Sequence, residues 1–299
     1  MNPDSGSEST AEVALAEVPE HEVHTVTSTD GVEVVVRELG GEGPPLVLSH
    51  ATGFHGACWL PVAETLAEQF RCVAIDYRGH GASVIPAETS LRWRHMANDL
   101  DAVLDHLGIG SGEAYVAGHS MGGCVALLAA QRRPGFWRSV WVFEPIVIPG
   151  PDRPGEPGEN DLVEVALKRR DDFESRAAVF ERYASRPPFD ATDPRFLAAY
   201  VAHGFVDTPD GAVRLACTPE QEAGVFNGAF CDAFSGLGEL SMPVTVVASG
   251  DGHPPSQLAP MVADAIPDGR LVRMDHLDHF GPFTEPEEIA GHISSTLLG

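Results

Sequence analysis

The chain has 299 residues and carries 44 acidic and 19 basic side chains, which give a formal net charge of −25 at pH 7. This length suits one large α/β domain or two average ones. The negative charge disfavours nucleic acids and anionic membranes as partners, because like charges repel. Five scattered cysteines, and no apolar run long enough to span a membrane, favour a protein of the cytoplasm.

The order of the predicted elements indicates the fold class. Residues 1–20 are acidic and rich in small side chains, and we expect them to be a disordered tail. Strand patterns then alternate with helix patterns, which is typical of a mostly parallel sheet. The predicted strands are 23–29, 32–39, 46–48, 72–75, 114–117, 140–143, 244–248 and 271–274. The predicted helices are 59–70, 96–107, 124–129, 256–266 and 287–298.

One short segment carries the most specific signal in the chain. Residues 118–122, Gly-His-Ser-Met-Gly, lie between a predicted strand and a predicted helix and fit the pattern G-x-S-x-G. In such a turn the serine adopts a strained backbone that exposes its hydroxyl, and the glycines remove Cβ atoms that would clash. The helix directs its first amides toward the position where an oxyanion forms. We therefore predict that Ser120 is a nucleophile.

The composition changes after the sixth predicted strand. Residues 149–160 are rich in proline, glycine and acidic side chains, which indicates a boundary. From there to residue 236 we find only helix patterns and loops. Because this insertion is too long for a plain connection, we expect residues 150–236 to form a helical lid. Residues 21–149 and 237–299 would form the α/β core.

Four motifs, in this chain order, make the sequence similar to the α/β-hydrolase family. They are His50 after the third predicted strand, residues 76–83 after the fourth, residues 118–122 after the fifth, and His279-Phe280 before the last helix. The resemblance covers about residues 23–299. It implies a mostly parallel, eight-stranded α/β-hydrolase sheet with helices on both faces and a helical lid inserted after strand six.

The resemblance also implies roles for single residues. The backbone N–H groups of Thr52 and Met121 would form an oxyanion hole, although residues 50–51 are His-Ala where the family usually has His-Gly. His279 would be the base. It is preferred to His276 because it directly precedes an aromatic residue and the start of the last helix. The expected pocket residues are Phe54, His119, Phe173, Phe180, Tyr183 and Phe226.

The acid of the implied triad has two candidates. Glu144 stands directly after the sixth predicted strand, where a minority of relatives carry a glutamate. Asp251 lies one residue away from the position at which most relatives carry an aspartate. A carboxylate at the end of a buried strand is poorly solvated without a partner, and an imidazole N–H is a suitable one. We expect Glu144 to be the acid and keep Asp251 as the alternative.

These roles together imply a serine hydrolase that cleaves a carboxylic ester or a lactone through an acyl-enzyme intermediate. A carbon–carbon bond hydrolase or an amidase with the same triad stays open, as does a non-catalytic binding protein that kept the fold. We expect no cofactor and no metal, because no ligand pattern such as H-E-x-x-H occurs. The expected partner is a small ester or lactone, with no nucleic acid and no membrane. The oligomeric state stays open between monomer and homodimer.

Overall fold

The computed structural model describes residues 9–250 and 252–299. The strands in these residues are β1 (Glu22–Thr27), β2 (Glu33–Gly40), β3 (Pro45–Ser49), β4 (Arg71–Asp76), β5 (Ala114–His119), β6 (Trp137–Phe143), β7 (Asp172–Phe173), β8 (Phe205–Asp207), β9 (Val213–Leu215), β10 (Val244–Ser249) and β11 (Gly269–Met274). The helices are α1 (Thr10–Ala16), α2 (Leu60–Leu66), α3 (Trp93–His106), α4 (Met121–Arg132), α5 (Asp161–Leu167), α6 (Arg176–Ala184), α7 (Pro194–His203), α8 (Pro219–Asn227), α9 (Pro254–Ala265), α10 (Gly281–Thr284) and α11 (Pro286–Leu298).

Within the described residues an eight-stranded sheet forms the centre of the molecule, in the order β1-β2-β4-β3-β5-β6-β10-β11. The pairs β1/β2 and β2/β4 are antiparallel, and the remaining pairs are parallel. Helices α3, α4 and α9 bury apolar side chains on one face, and α2 and α11 do so on the other. Because helices cover both faces, the central strands are apolar runs rather than alternating patterns. The predicted fold class is confirmed.

We expected the insertion, residues 150–236, to contain only helices and loops, but it also contains strands. It contains α5 to α8, but β7, β9 and β8 also form a small antiparallel sheet. These strands have only two or three residues each, so no alternating pattern is long enough to recognise in the sequence. Val213 and Leu215 point one way and pack with the aromatic side chains of the insertion. Tertiary packing of these side chains therefore selects strand where the sequence showed only loop.

The N-terminal segment also differs from our expectation. Residues 1–8 lie outside the described part of the chain, but residues 10–16 form α1. The helix begins with a capping box in which the side chains of Ser9 and Glu12 each bond the backbone amide of the other. Ala11 is buried, and α1 packs against α6 and α7 of the insertion. The apolar contacts of α1 offset the entropy of ordering this otherwise acidic segment. No helix in residues 9–250 or 252–299 is long and apolar enough to cross a bilayer.

Candidate active site

Ser120 lies in the sharp turn between β5 and α4. Its φ of 55° and ψ of −117° are strained for a residue with a side chain. Three backbone bonds hold the turn. The Ser120 N–H donates to the Phe143 carbonyl (3.0 Å), and the Ser120 carbonyl accepts from the N–H groups of Cys124 (3.2 Å) and Ile146 (3.3 Å). A Cβ at Gly122 would lie 2.2 Å from the Ser49 carbonyl oxygen, so only glycine fits there. The sequence pattern thus follows from the close approach of α4 to β3.

Glu144 and His279, which are 135 positions apart in the sequence, form a direct hydrogen bond. Glu144 is fully buried at the end of β6. Its Oε1 accepts a bond from the Ser249 amide (2.8 Å), and its Oε2 lies 2.6 Å from His279 Nδ1. A carboxylate without a proton only accepts hydrogen bonds, and with such a carboxylate the proton of this bond lies on Nδ1. The buried carboxylate therefore has both of its oxygens satisfied and fixes the tautomer and orientation of the imidazole.

The sequence analysis named His276 as the alternative base and Asp251 as the alternative acid. His276 bonds Glu288 at 2.9 Å, its side chain is 59% exposed, and among the described residues it does not border the cavity that holds Ser120. Asp251 lies outside the described residues, so its part in the site stays a prediction. Of the two candidate bases, His279 therefore lies in the site and bonds Glu144, and His276 does not.

The loop after β3 is held by His50. The ring is fully buried, with Nδ1 donating to the Ala51 carbonyl at 2.7 Å and Nε2 accepting from the Tyr77 amide at 3.1 Å. In a trans peptide the carbonyl and the next N–H point in opposite directions. By holding the Ala51 carbonyl, His50 therefore also fixes the direction of the Thr52 N–H. This bracing role agrees with a structural histidine and needs no proton transfer.

The two expected oxyanion donors have suitable surroundings. Thr52 borders the same cavity as Ser120. Met121 is the first residue of α4, and an amide in the first turn of a helix has no carbonyl partner within that helix. The positive end of the helix dipole adds to the field at this point. A developing negative charge next to Ser120 would be stabilised by both features.

A cavity of about 1770 Å³ contains Ser120, His279 and Thr52 in its wall. Of the expected pocket residues, five border this cavity: Phe54, His119, Phe173, Tyr183 and Phe226. Phe180 was predicted to do so, but that expectation is wrong. Its side chain is buried in the core of the insertion, beside Val179 and Leu197. The spacing of apolar residues on a helix shows which face is buried, but it does not show which of those residues border a cavity.

The sequence analysis missed one polar cluster in the cavity wall. Arg169 follows α5 and donates to Glu222 at 2.8 Å and to the Tyr200 hydroxyl. Glu222 also lies against Gly53, where an added Cβ would be 2.4 Å from Oε1. The basic triplet at 168–170, in a chain with only 19 basic residues, was the signal that could have revealed this cluster. The cluster connects the insertion to the loop that carries Thr52.

Three buried histidines near this loop make stability depend on pH. Burial lowers the pKa of His50 to about 4 and that of His55 and His80 to about 3, close to the buried Asp76–Arg37 ion pair. Unfolding returns each pKa to about 6.5, so the unfolded chain binds more protons below that pH. We expect the free energy of unfolding to fall as pH decreases from about 6.5 to 5, by up to about 1.4 kcal/mol per pH unit for each histidine. Urea unfolding at fixed pH values measures this slope.

Two variants test the contribution of single buried histidines. His80→Gln removes one of these titrating groups and is expected to make the dependence of the free energy of unfolding on pH shallower. His55→Gln removes a second buried histidine of this group and should make the slope shallower by a similar amount. A free energy of unfolding that stays constant between pH 7 and pH 5 would contradict the prediction.

The sheet order, the strained turn with its serine and the buried carboxylate–imidazole pair define a hydrolase of the α/β class. The sequence profile of the alpha/beta hydrolase family matches residues 46–292. The chain therefore belongs to the α/β-hydrolase family.

Individual relatives differ in the reactions that their names describe. The chain is 27% identical over 250 residues to a putative carbamate hydrolase of Azorhizobium caulinodans, covering 80% of this chain and 85% of that protein. The crystal structure of E-2-(acetamidomethylene)succinate hydrolase superposes with a TM-score of 0.76 and 22% identity, over 94% of this chain and all of that one. An enol-lactonase from Burkholderia xenovorans LB400 gives a TM-score of 0.67 at 20% identity, over 92% and 100% of the chains. At these identities the two structures share the fold, and the fold hosts many reactions.

Proposed function

We propose that the protein is a serine hydrolase that cleaves a carboxylic ester or a lactone through an acyl-enzyme intermediate. The observation that carries the proposal is the buried Glu144–His279 hydrogen bond in the neighbourhood of the strained Ser120 turn. A carboxylate that orients an imidazole beside an exposed serine is the arrangement that activates a hydroxyl nucleophile. This reaction uses only side chains and backbone N–H groups of the protein.

The proposed reaction has two halves. Ser120 Oγ attacks the substrate carbonyl carbon while His279 Nε2 takes the hydroxyl proton, and Glu144 stabilises the imidazolium through Nδ1–H. The N–H groups of Thr52 and Met121 stabilise the oxyanion. When the tetrahedral intermediate collapses, the C–O bond to the alcohol breaks and His279 gives the alkoxide its proton. A water molecule, activated by the same imidazole, then hydrolyses the acyl-enzyme and restores Ser120.

The insertion supports the proposal as a lid. Residues 150–236 contribute Phe173, Tyr183 and Phe226 to the cavity wall, together with core residues. Apolar side chains beside the reacting carbonyl reduce its contact with water and strengthen the electrostatic contacts around it. All five cysteines are free and buried, which supports a reducing compartment such as the cytoplasm.

A second candidate is hydrolysis of an amide or a carbamate on the same triad. The observation that favours it is the similarity to a putative carbamate hydrolase over most of both chains. The two candidates differ in the leaving group, since an amine needs protonation before it can leave and an activated alkoxide does not.

Matched substrates test the proposal. A p-nitrophenyl ester and a p-nitroanilide with the same acyl part should be compared with each other, together with an alkyl N-(p-nitrophenyl)carbamate and lactones of graded size. We expect kcat/KM for the ester or a lactone to exceed that for the nitrogen analogues at least about a hundredfold, or about 2.7 kcal/mol. We also expect a fluorophosphonate probe to label Ser120, as mapped by mass spectrometry. Faster turnover of the carbamate would favour the second candidate, and an unlabelled Ser120 would contradict both.

A further inference from the structure

The short helix α5 is apolar and yet largely exposed. Five of its seven residues are apolar, and Ala166 is the one that is buried. Leu162 is 50% exposed and Val165 is 63% exposed, and both side chains also border the cavity that holds Ser120. Exposed aliphatic side chains that are neighbours and border a cavity are typical of a binding surface. Apolar residues scattered singly over a surface are not. The cavity is therefore lined at α5 by exposed aliphatic side chains, with charged residues such as Asp161 and Lys168 beside them.

Apolar residues of the same cavity wall lie near Ser120 and near α5. Ile146 begins the wall, because its amide lies 3.3 Å from the Ser120 carbonyl, and Ile148 follows it. Phe226 of α8 also borders the cavity. The Asn160 side chain, which caps α5, donates to the Phe226 carbonyl at 3.1 Å and so joins α5 to α8 at this point. We call these cavity residues the apolar track: Ile146, Ile148, Phe226, Leu162 and Val165.

The cavity is also larger than a small ester requires. Its volume of about 1770 Å³ exceeds the range of roughly 300–1,000 Å³ that is usual for pockets of small ligands. An extended hydrocarbon chain on the apolar track would cover the exposed faces of Leu162 and Val165 and remove them from water. A chain without charge also avoids repulsion by a protein of net charge −25.

We propose that the apolar track binds a long, unbranched hydrocarbon chain of the substrate. The substrate class is then an ester or lactone in which an alkyl chain extends from the scissile carbonyl group, on the acyl or the alcohol side, to α5. This inference rests on the proposed function, because the length of the substrate's hydrocarbon chain is measured from the carbonyl group that Ser120 attacks. The specificity of the enzyme would come from Leu162 and Val165, which lie in a segment separate from the core motifs.

Two substrate series test the proposal in the full-length protein, below the critical micelle concentration. One contains p-nitrophenyl esters with acyl chains of two to about twelve carbons, and the other contains acetates with alkyl chains of the same lengths. In at least one series we expect kcat/KM to rise with chain length, by up to about fourfold per methylene group. A double variant, Leu162→Ser with Val165→Ser, should lower kcat/KM for the longest chain at least about tenfold more than for the shortest. Values that are flat or fall with length in both series overturn the proposal.

A matched control lies on the same helix. Leu167 is 48% exposed, but it does not border the cavity among the described residues. Leu167→Ser should therefore keep the chain-length profile of the original protein. Equal losses in Leu167→Ser and in the double variant would mean that α5 acts only through general hydrophobicity, and would overturn the proposal. If the double variant changes the oligomeric state by light scattering but not the chain-length profile, the exposed face is a contact between copies, and the proposal is wrong.

A binding measurement distinguishes this inference from the proposed function. Straight-chain primary alcohols from butanol to decanol, which carry no charge, are titrated by calorimetry into Ser120→Ala, which needs no turnover. Affinity that increases with chain length, and loses this increase when Leu162 and Val165 are also replaced by Ser, supports the apolar track even if no ester is hydrolysed. Affinity that is independent of chain length contradicts it, even if Ser120 reacts with a fluorophosphonate.

Discussion

Replacing Ser120 by Ala is expected to lower kcat by at least about ten-thousandfold while the protein stays folded. The hydroxyl forms the covalent bond in the proposed reaction, so its removal leaves only the oxyanion donors and substrate binding. The side chain is partly exposed to the cavity, and its loss creates no void in the core. Stopped assays with p-nitrophenyl esters and circular dichroism of the same samples measure the two quantities.

Two further substitutions control this experiment. Ser295→Ala changes a serine at the exposed end of α11 and should keep full activity. Ser120→Gly is expected to be inactive but more stable than Ser120→Ala, because glycine adopts a φ of 55° and a ψ of −117° without the strain of a Cβ. If Ser120→Ala hydrolyses esters at a rate near that of the unchanged protein, the nucleophile has been assigned wrongly.

Replacing Glu144 by Gln is expected to lower kcat at least about a hundredfold and up to about ten-thousandfold. The Ser249 amide donates to Oε1, so the glutamine carbonyl oxygen would take that position and its NH₂ group would face His279 Nδ1. The imidazole would then carry its proton on Nε2, the nitrogen that must accept the proton of Ser120. The substitution therefore preserves shape and hydrogen bonds but selects the tautomer that cannot act as a base.

Other carboxylates serve as comparisons for Glu144. Asp251→Asn is expected to cost less than about tenfold in kcat, since Glu144 already orients the imidazole. Glu288→Gln, which removes the carboxylate beside the exposed His276, should leave kcat unchanged. A larger loss for Asp251→Asn than for Glu144→Gln would move the acid to Asp251. Equal and moderate losses would mean that the two carboxylates share the role.

The sequence by itself determined the core of the fold and the position of the Ser120 turn. Long apolar runs and helical spacing depend on neighbours within about ten residues, so they can be read along the chain. The glycines at 118 and 122 are dictated by the backbone geometry of the turn, which is why the pattern is local and specific. The resemblance to the α/β-hydrolase family left two candidates for the acid, Glu144 and Asp251, and selected His279 as the base.

Only the tertiary structure decided which distant residues meet. Glu144 follows β6 and His279 follows β11, and both strands pair in parallel with β10, so their carboxyl ends lie at the same edge of the sheet. The Ser249 amide at the end of β10 bonds the second carboxylate oxygen. The small sheet of the insertion, the packing of α1 and the burial of Phe180 likewise depend on contacts between segments far apart in the chain. Such contacts are selected by the burial of apolar surface and the pairing of buried polar groups across the whole domain. No window of neighbouring residues contains that information.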